Sequence, residues 1–288
     1  MTPNEYCQEK AAKSGSSFYY SFLFLPARQR QAIMALYAFC REVDDVVDEA
    51  HDAALARIKL QWWRDEIKKT FEGQAQHPVA IALQETLQHY DLPQEHFREI
   101  IDGMEMDLEQ NRYANFSALS LYCYRVASVV GLMAAEIFGY EDRSTLKYAH
   151  NLGIAFQLTN ILRDVREDAQ RNRIYIPQDE LARFNVSDDD ILYGRQTEQA
   201  TELMKFQAER AREYYRKAFE LLPEQDRYAQ RSGLIMAEIY LTVLAEIEAD
   251  GYRVLERRIS LTPLRKLWLA WKTARREKKR QRKMPAAA

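Results

Sequence analysis

The chain has 288 residues, a length that suits one large domain or two small ones. Hydrophobic residues make up 47% of it, enough for a sizeable core, and the net charge of −2 gives no general attraction to nucleic acid, so no nucleic-acid partner is expected. The three scattered cysteines, Cys7, Cys40 and Cys123, indicate neither a disulfide framework nor a zinc site, which favours a cytoplasmic location.

The chain starts with "MTPNEYCQEK", which lacks the apolar core of a signal peptide. Further along, no uncharged run approaches the roughly 18–20 residues that span a bilayer. Apolar residues recur at three- and four-residue spacing, and the few glycines and prolines fall between such segments, so we predict a nearly all-α chain. The predicted helices cover about residues 27–50, 53–72, 78–90, 94–110, 117–139, 142–169, 197–222, 226–257 and 263–283, and the longest irregular segment is 170–187.

The first of these helices ends in the acidic stretch "AFCREVDDVVDEA", residues 38–50. At about 100° per residue, its apolar side chains form one face, and Ala38, Glu42, Asp45 and Glu49 are predicted to face water. A third stripe lies along the edge of the core and consists of Tyr37, Arg41, Asp44 and Asp48. The alternative interpretation is an ordinary surface pair of carboxylates, with Asp44 partly neutralised by Arg41.

A second polar stripe occurs in "QLTNILRDVRED", residues 157–168. It borders an apolar face at spacings of three and four, and consists of Gln157, Asn160, Asp164 and Asp168. Two such stripes on two helices suggest carboxylates that face each other across a cavity. Mg²⁺ prefers oxygen ligands, and substrate phosphates usually complete its coordination. The guanidinium groups of the nearby Arg41 and Arg163 can bind phosphate oxygens. The sequence therefore predicts a diphosphate site in which metal ions neutralise the acidic residues.

At these residues the chain resembles the squalene/phytoene synthase family, the head-to-head isoprenoid synthases. The resemblance extends from about residue 5 to residue 260. It is carried by "SGSSFYYSFLFLP" (14–26), "ALYAFCREVDDVVDE" (35–49), "YCYRVASVVG" (122–131), "QLTNILRDVRED" (157–168) and "RIYIP" (173–177). It implies an all-α, single-domain class I isoprenoid synthase bundle with a central active-site cavity. It further implies about three Mg²⁺ ions, held by Asp44, Asp48, Asn160, Asp164 and Asp168.

The same resemblance implies roles for other side chains. The residues expected near the reacting carbons or the leaving group are Tyr37, Tyr122, Gln157 and Tyr240. Those expected to bind substrate are Ser17, Phe18, Tyr20, Phe22, Arg41, Arg163, Arg173, Tyr175 and Arg257, with the aromatic residues at the entrance of the prenyl channel and the loop of Arg173 and Tyr175 closing over the diphosphates. Two alternatives stay open: Tyr122 and Tyr240 as core tyrosines, and the aromatic N-terminal residues as a packed segment.

The implied reaction is Mg²⁺-dependent condensation of two farnesyl diphosphates to presqualene diphosphate, a precursor of squalene and hopanoids. The N-terminal block favours this product, and NADPH is not expected. Phytoene, squalene or dehydrosqualene synthesis is the alternative within the family. A chain-elongating prenyltransferase or terpene cyclase would carry DDxxD where this chain has "NILRDVRED", and a non-catalytic assembly factor should have lost the ligand residues that this chain retains.

The C-terminal segment 264–283 carries ten Lys and Arg residues against the single acid Glu277. Leu264, Leu267, Trp268 and Trp271 share one helical face, a pattern typical of segments that bind an anionic membrane surface. A last helix packed on the domain is the alternative. We therefore divide the chain into a synthase domain, 1–262, and a basic amphipathic helix and tail, 263–288. Peripheral contact at the inner face of the membrane, and downstream squalene-pathway enzymes as partners, are expectations.

Overall fold

The computed structural model describes residues 1–49 and 52–283. These residues form fourteen α-helices and one π-helical segment, without a β-strand, so the predicted all-α fold is confirmed. The helices are α1 Pro3–Lys13, α2 Ser17–Phe22, α3 Ala27–Asp48, α4 Ala53–Phe71, α5 Pro78–Leu87, α6 Gln94–Glu109, α7 Phe116–Cys123, α8 Val129–Phe138, α9 Ser144–Gln170, α10 Gln178–Arg183, α11 Asp188–Leu192, α12 Glu198–Leu221, α13 Arg231–Ala249 and α14 Pro263–Gln281, and the π-helical segment is Tyr124–Ser128.

The differences from the predicted helices lie at ends and in short elements. Helices α1 and α2 were not predicted, α10 lies inside the segment 170–187 that was predicted to be irregular, and the helix predicted over 226–257 is the shorter α13. Helix α1 begins with a capping box, in which the Thr2 side chain accepts from the backbone N–H of Glu5 and the Glu5 carboxylate accepts from that of Thr2. Residue 50, the predicted end of the first acidic helix, is outside the described residues.

Helix α1 packs across α3 and changes the environment of the predicted water-facing stripe. Ala38 is fully buried, and Lys10 Nζ lies 2.7 Å from Glu42 Oε1 and 3.0 Å from Asp45 Oδ2. The Tyr6 hydroxyl also donates to Glu42, at 2.8 Å. The prediction that this stripe faces water was therefore wrong for Ala38, Glu42 and Asp45, because an unpredicted helix with a complementary charge covers them, whereas Glu49 is exposed as predicted.

Helix α9 runs through the core and packs against α12, α8 and the π-helical segment. Two glycines permit close backbone contact there: a Cβ at Gly153 would lie 2.7 Å from Ala127 O, and one at Gly131 would lie 2.7 Å from Ala149 O. The π-helical turn widens the helix at this contact, a feature often found at functional sites. This packing positions the wall of the cavity described below.

One helical run, Phe116–Phe138, is long and apolar enough by length and composition to cross a membrane. It comprises α7, the π-helical segment and α8, and it packs against α6 and α9. Several of its residues, among them Val126 and Val130, line the internal cavity. The run therefore serves as a core element of the helical bundle.

Candidate active site

A cavity of about 200 Å³ lies between α2, α3, the π-helical segment, α8, α9 and α13. Tyr37 of the first predicted stripe and Gln157 and Asn160 of the second line this one cavity. Most of the remaining lining is apolar and includes Phe18, Phe22, Ile33, Leu36, Val126, Val130, Phe138, Leu152, Phe156 and Met236. The two stripes therefore adjoin a shared, largely apolar chamber.

Helix α2 supplies the aromatic end of this lining. Phe18 and Phe22 are four residues apart and lie on the same helical face, with ring centroids 6.3 Å apart, and both line the cavity. Tyr20 is not among the lining residues and instead has Lys266 Nζ 5.8 Å from its ring centroid. A spacing of two reverses direction on a helix, so Tyr20 faces away from the two phenylalanines, and its place at the channel entrance stays a prediction. Ser17 is buried at the start of α2.

The first stripe is surrounded by arginines. Arg41 contacts Asp44 and Asp45, each at 2.6 Å, and Asp48 accepts from Arg171 and Arg173, each at 3.0 Å. Burial and the neighbouring Asp48 carboxylate raise the pKa of Asp44 to about 7, against the lowering effect of Arg41. The carboxylates at this end of α3 are therefore crowded and only partly neutralised by the protein.

The second stripe, like the first, combines crowded carboxylates with arginine contacts. Arg163 contacts Asp164 at 2.5 Å, and Arg258 reaches Asp164 from the segment after α13 at 2.8 Å. The Asn160 Oδ1 atom is buried without a hydrogen-bond partner in the described structure, while its Nδ2 donates to Gln157 at 3.3 Å. Burial, and then the carboxylates Asp164 and Asp107, raise the pKa of Asp168 to about 8.

Arg257 does not join this cluster. It is exposed and pairs with Asp250, just beyond the end of α13, whereas its neighbour Arg258 points to Asp164. Of the two arginines of "LERRIS", it is therefore Arg258 that contacts the second stripe, while the predicted binding of diphosphate by Arg257 stays a prediction. Adjacent side chains in this non-helical segment diverge, and the sequence offered two arginines without indicating their directions.

Asp107 on α6 connects the two stripes and was missed by the sequence analysis. It accepts hydrogen bonds from the hydroxyls of Tyr122, at 3.0 Å, and Tyr175, at 2.8 Å. Burial raises its pKa to about 6, Arg173 opposes that rise, and Asp48 adds to it. The Asp107 carboxylate also helps to raise the pKa values of Asp44 on α3 and of Asp168 on α9, so it is close enough to interact with both stripes.

A signal for Asp107 was present in the sequence. It follows Ile100, Gly103 and Met104 by seven, four and three residues, and all three are buried. A carboxylate in register with a buried stripe is unusual unless it has a partner, so this position could have been flagged. Its hydrogen-bond partners, Tyr122 on α7 and Tyr175 after α9, are distant in sequence, so no local pattern predicts their contact with α6.

The predicted tyrosines occupy two places. Tyr122 and Tyr175 stack at 5.1 Å between ring centroids, on the Asp107 side of the site and outside the residues that line the apolar cavity. Tyr37 lines the cavity and donates to Ser14 Oγ at 2.9 Å. Tyr240 packs on Phe156, a lining residue, at 5.1 Å, and Arg163 lies 5.9 Å from its ring centroid.

The donor set fits the Mg²⁺ ions that the sequence predicts. Within the described residues, no group of three or more His, Cys, Asp or Glu side chains is arranged to hold a metal ion by itself. Mg²⁺ usually takes one or two carboxylates together with substrate phosphates, and the paired aspartates and the unpartnered Asn160 Oδ1 supply ligands of that type. The residues available for this role are Asp44, Asp48, Asn160, Asp164 and Asp168.

The raised pKa of Asp168 predicts a pH-dependent stability in metal-free buffer. The pKa of Asp168 is about 8 in the folded protein and has the ordinary value of 3.8 in the unfolded chain, so protonation favours the folded state. This stabilisation is complete below pH 3.8 and is lost as the pH rises through about 8. In Asp168→Asn, the penalty at high pH disappears, so its melting temperature should exceed that of the wild type by about 2–4 °C at a pH of about 9.

Thermal melting at several pH values, with chelator present, measures this difference. Asp65→Asn, on the exposed surface of α4, is the matched control and should track the wild type. Parallel pH dependence of wild type and Asp168→Asn would contradict the predicted crowding of carboxylates.

Comparison with known proteins places this geometry in a family. The family model described as squalene/phytoene synthase matches residues 11–265. A 15-cis-phytoene synthase of Synechococcus elongatus is 38% identical over 275 residues, covering 91% of this chain and 89% of that protein. Phytoene synthase 1, chloroplastic, of Arabidopsis thaliana is 37% identical over 267 residues, covering 91% of this chain and 63% of that protein.

Solved structures of similar fold support the same family assignment. A dehydrosqualene synthase crystallised with a ligand superposes with a TM-score of 0.84 at 29% identity, covering 96% of this chain and 97% of that one. The squalene synthase HpnC from Alicyclobacillus acidocaldarius gives a TM-score of 0.77 at 29% identity, covering 87% and 94%. The chain therefore belongs to the squalene/phytoene synthase family.

Proposed function

We propose that this protein condenses two prenyl diphosphates head to head, with a cyclopropylcarbinyl diphosphate as the first product. The observation that carries the proposal is the shared chamber, because side chains from both aspartate-bearing helices, Tyr37 on α3 and Asn160 on α9, line one apolar cavity. A diphosphate held at the aspartates would have its prenyl chain directed into that cavity.

Ionisation of the first substrate breaks the bond between C1 and the diphosphate oxygen. We assign the binding of the departing diphosphate to arginines that already contact a carboxylate of the two stripes: Arg41, Arg163, Arg173 and Arg258. Mg²⁺ bound at the aspartates would supply further neutralisation of the leaving group. Desolvated donors of this kind stabilise developing charge much more strongly than they would in water.

The resulting allylic cation must be kept from water. The apolar walls, with Phe18, Phe22 and Phe156 among them, exclude water from the carbons that react. The C2=C3 bond of the second substrate attacks C1 of the cation, and loss of one proton closes the three-membered ring. The balance is two prenyl diphosphates giving one cyclopropylcarbinyl diphosphate, one diphosphate and one proton. Two acceptors suit the proton: the released diphosphate, or a tyrosine hydroxyl such as that of Tyr37.

Two prenyl lengths are candidates, and a separate observation favours each. The similarity to phytoene synthases favours C20 substrates and phytoene, which was the alternative in the sequence analysis. The C15 candidate, with presqualene diphosphate as product, is supported by Tyr148, whose bulky ring is among the residues that line the cavity. The relatives support the C20 candidate better than they support presqualene diphosphate.

The decisive experiment incubates the purified protein with Mg²⁺ and either farnesyl or geranylgeranyl diphosphate, with and without NADPH. We expect a head-to-head product from at least one substrate, and its formation should stop when the metal is chelated. Phytoene would establish the C20 assignment, and presqualene diphosphate without NADPH would establish the C15 assignment. Squalene formed only with NADPH would contradict the expectation that NADPH is not needed. A linear, chain-elongated product would contradict the proposed reaction itself.

A further inference from the structure

Helix α14 has two opposite faces with different environments. Leu269, Ala270 and Thr273 are buried, and the helix packs against α13 and α2. The other face carries four exposed apolar side chains: Leu264 (80% exposed), Leu267 (43%), Trp268 (54%) and Trp271 (49%). The alternative that α14 is simply the last helix packed on the domain therefore explains only one of its faces. We call the exposed face, with these four residues, the tryptophan face.

Basic side chains continue the tryptophan face toward the C-terminus. At about 100° per residue, Arg275, Lys278, Lys279 and Arg282 extend the stripe that begins with Leu264 and Trp268. Within residues 1–49 and 52–283, none of these four forms an ion pair with a carboxylate, whereas Arg276 and Arg280 pair with Glu238 and Glu224 on the side of the helix toward the bundle.

Contacts within the face join its apolar and basic parts. Lys272 Nζ lies 4.9 Å from the Trp268 ring centroid, and the Arg275 guanidinium lies 5.3 Å from that of Trp271. The only acid of the helix, Glu277, is 1% exposed and contacts Arg227, so it does not reduce the charge of this face. Exposed tryptophans followed by uncompensated bases are the chemistry of a surface that binds anionic lipid.

We propose that the tryptophan face and its basic extension dock this protein on an anionic bilayer, with α14 lying in the plane of the lipid headgroups. The opposite, buried side of α14 contacts α2, whose Phe18 and Phe22 line the cavity, so a docked α14 would separate the bilayer from α2 by the width of one helix. The bilayer would then lie within two helices of the cavity, which suits an enzyme with prenyl substrates and products. The lipid-binding surface itself is inferred without reference to the proposed reaction.

Vesicle flotation with the full-length protein tests this proposal. Binding should occur to vesicles that contain phosphatidylglycerol, decrease with added salt, and be weak for pure phosphatidylcholine. Trp268→Ala/Trp271→Ala should lower the partition coefficient at least about tenfold, because two interfacial anchors are lost. Lys278→Gln/Lys279→Gln/Arg282→Gln should lower it by a similar or larger factor and remove most of its salt dependence.

The matched control is Trp62→Ala on α4, since Trp62 is 44% exposed but does not belong to the tryptophan face. It should bind vesicles like the wild type, and circular dichroism should show equal helicity in all variants. Absence of wild-type binding, or equal binding by the double tryptophan variant, would overturn the proposal. Sedimentation velocity without lipid tests whether the face instead binds a second copy of the chain. A wild-type dimer that is absent in the double tryptophan variant would assign the face to dimerisation and overturn the proposal.

Discussion

Asp44→Asn is expected to lower turnover at least about 10²-fold while leaving the helical fold intact. The substitution keeps the size of the side chain but removes the negative charge that would bind a metal ion. It also relieves the repulsion from Asp48 that helps to raise the pKa of Asp44 to about 7. Stability should therefore be equal or greater, so that loss of activity is not explained by unfolding. Steady-state kinetics at saturating Mg²⁺, with a melting curve for each variant, measures both effects.

Asp45→Asn is the control that the chain itself provides. Asp45 is the next residue, and Arg41 contacts it at the same distance of 2.6 Å as Asp44. It differs in direction, because it faces α1 and pairs with Lys10 at 3.0 Å. Its substitution should change turnover by less than about tenfold, with a moderate loss of stability. Equal losses of activity for the two variants would show that the Arg41 network, and not the stripe that carries Asp44, is what matters for activity.

The stripes could be predicted because they depend on local geometry. Asp44 with Asp48, and Asn160 with Asp164 and Asp168, are set by helical periodicity, which the sequence contains directly. Their approach to one chamber is a tertiary fact, and the sequence supported it only through the pairing of two similar patterns and through the family resemblance. The cavity is lined by residues of both α3 and α9 but by none of the four aspartates, so the arrangement of carboxylates across it stays a prediction.

Other parts of the site depend on contacts that no local pattern encodes. Asp107 acquires its role from Tyr122 and Tyr175, which are 15 and 68 residues away along the chain. Arg258 rather than Arg257 reaches Asp164 because the chain has left helical geometry there, so periodicity no longer gives direction. The short helices α1 and α2 were missed because caps and turns, not long apolar repeats, define them.

Tyr148 is the residue that we expect to limit the length of the prenyl substrate. On α9 it lies twelve residues before Asn160, about 18 Å at about 1.5 Å per residue, so it marks the end of the cavity remote from the aspartates. It is 1% exposed, its hydroxyl has no partner among the described residues, and that oxygen lies 2.8 Å from the position of a Cβ at Gly233. In the C15 proposal, the ring fills space that a longer prenyl chain would need.

Tyr148→Ala is expected to raise the ratio of C20 to C15 turnover at least about tenfold, since the volume removed is comparable with one isoprene unit. The measurement is competition between geranylgeranyl and farnesyl diphosphates, because a ratio is insensitive to partial loss of folded enzyme. Tyr215→Ala is the control: Tyr215 is also 1% exposed, but its hydroxyl lies 3.0 Å from that of Thr159 and it does not line the cavity. It should lose stability without changing the ratio. An unchanged ratio in Tyr148→Ala would mean that the prenyl chains do not extend to this end of the cavity, and the length would then have to be set nearer the aspartates.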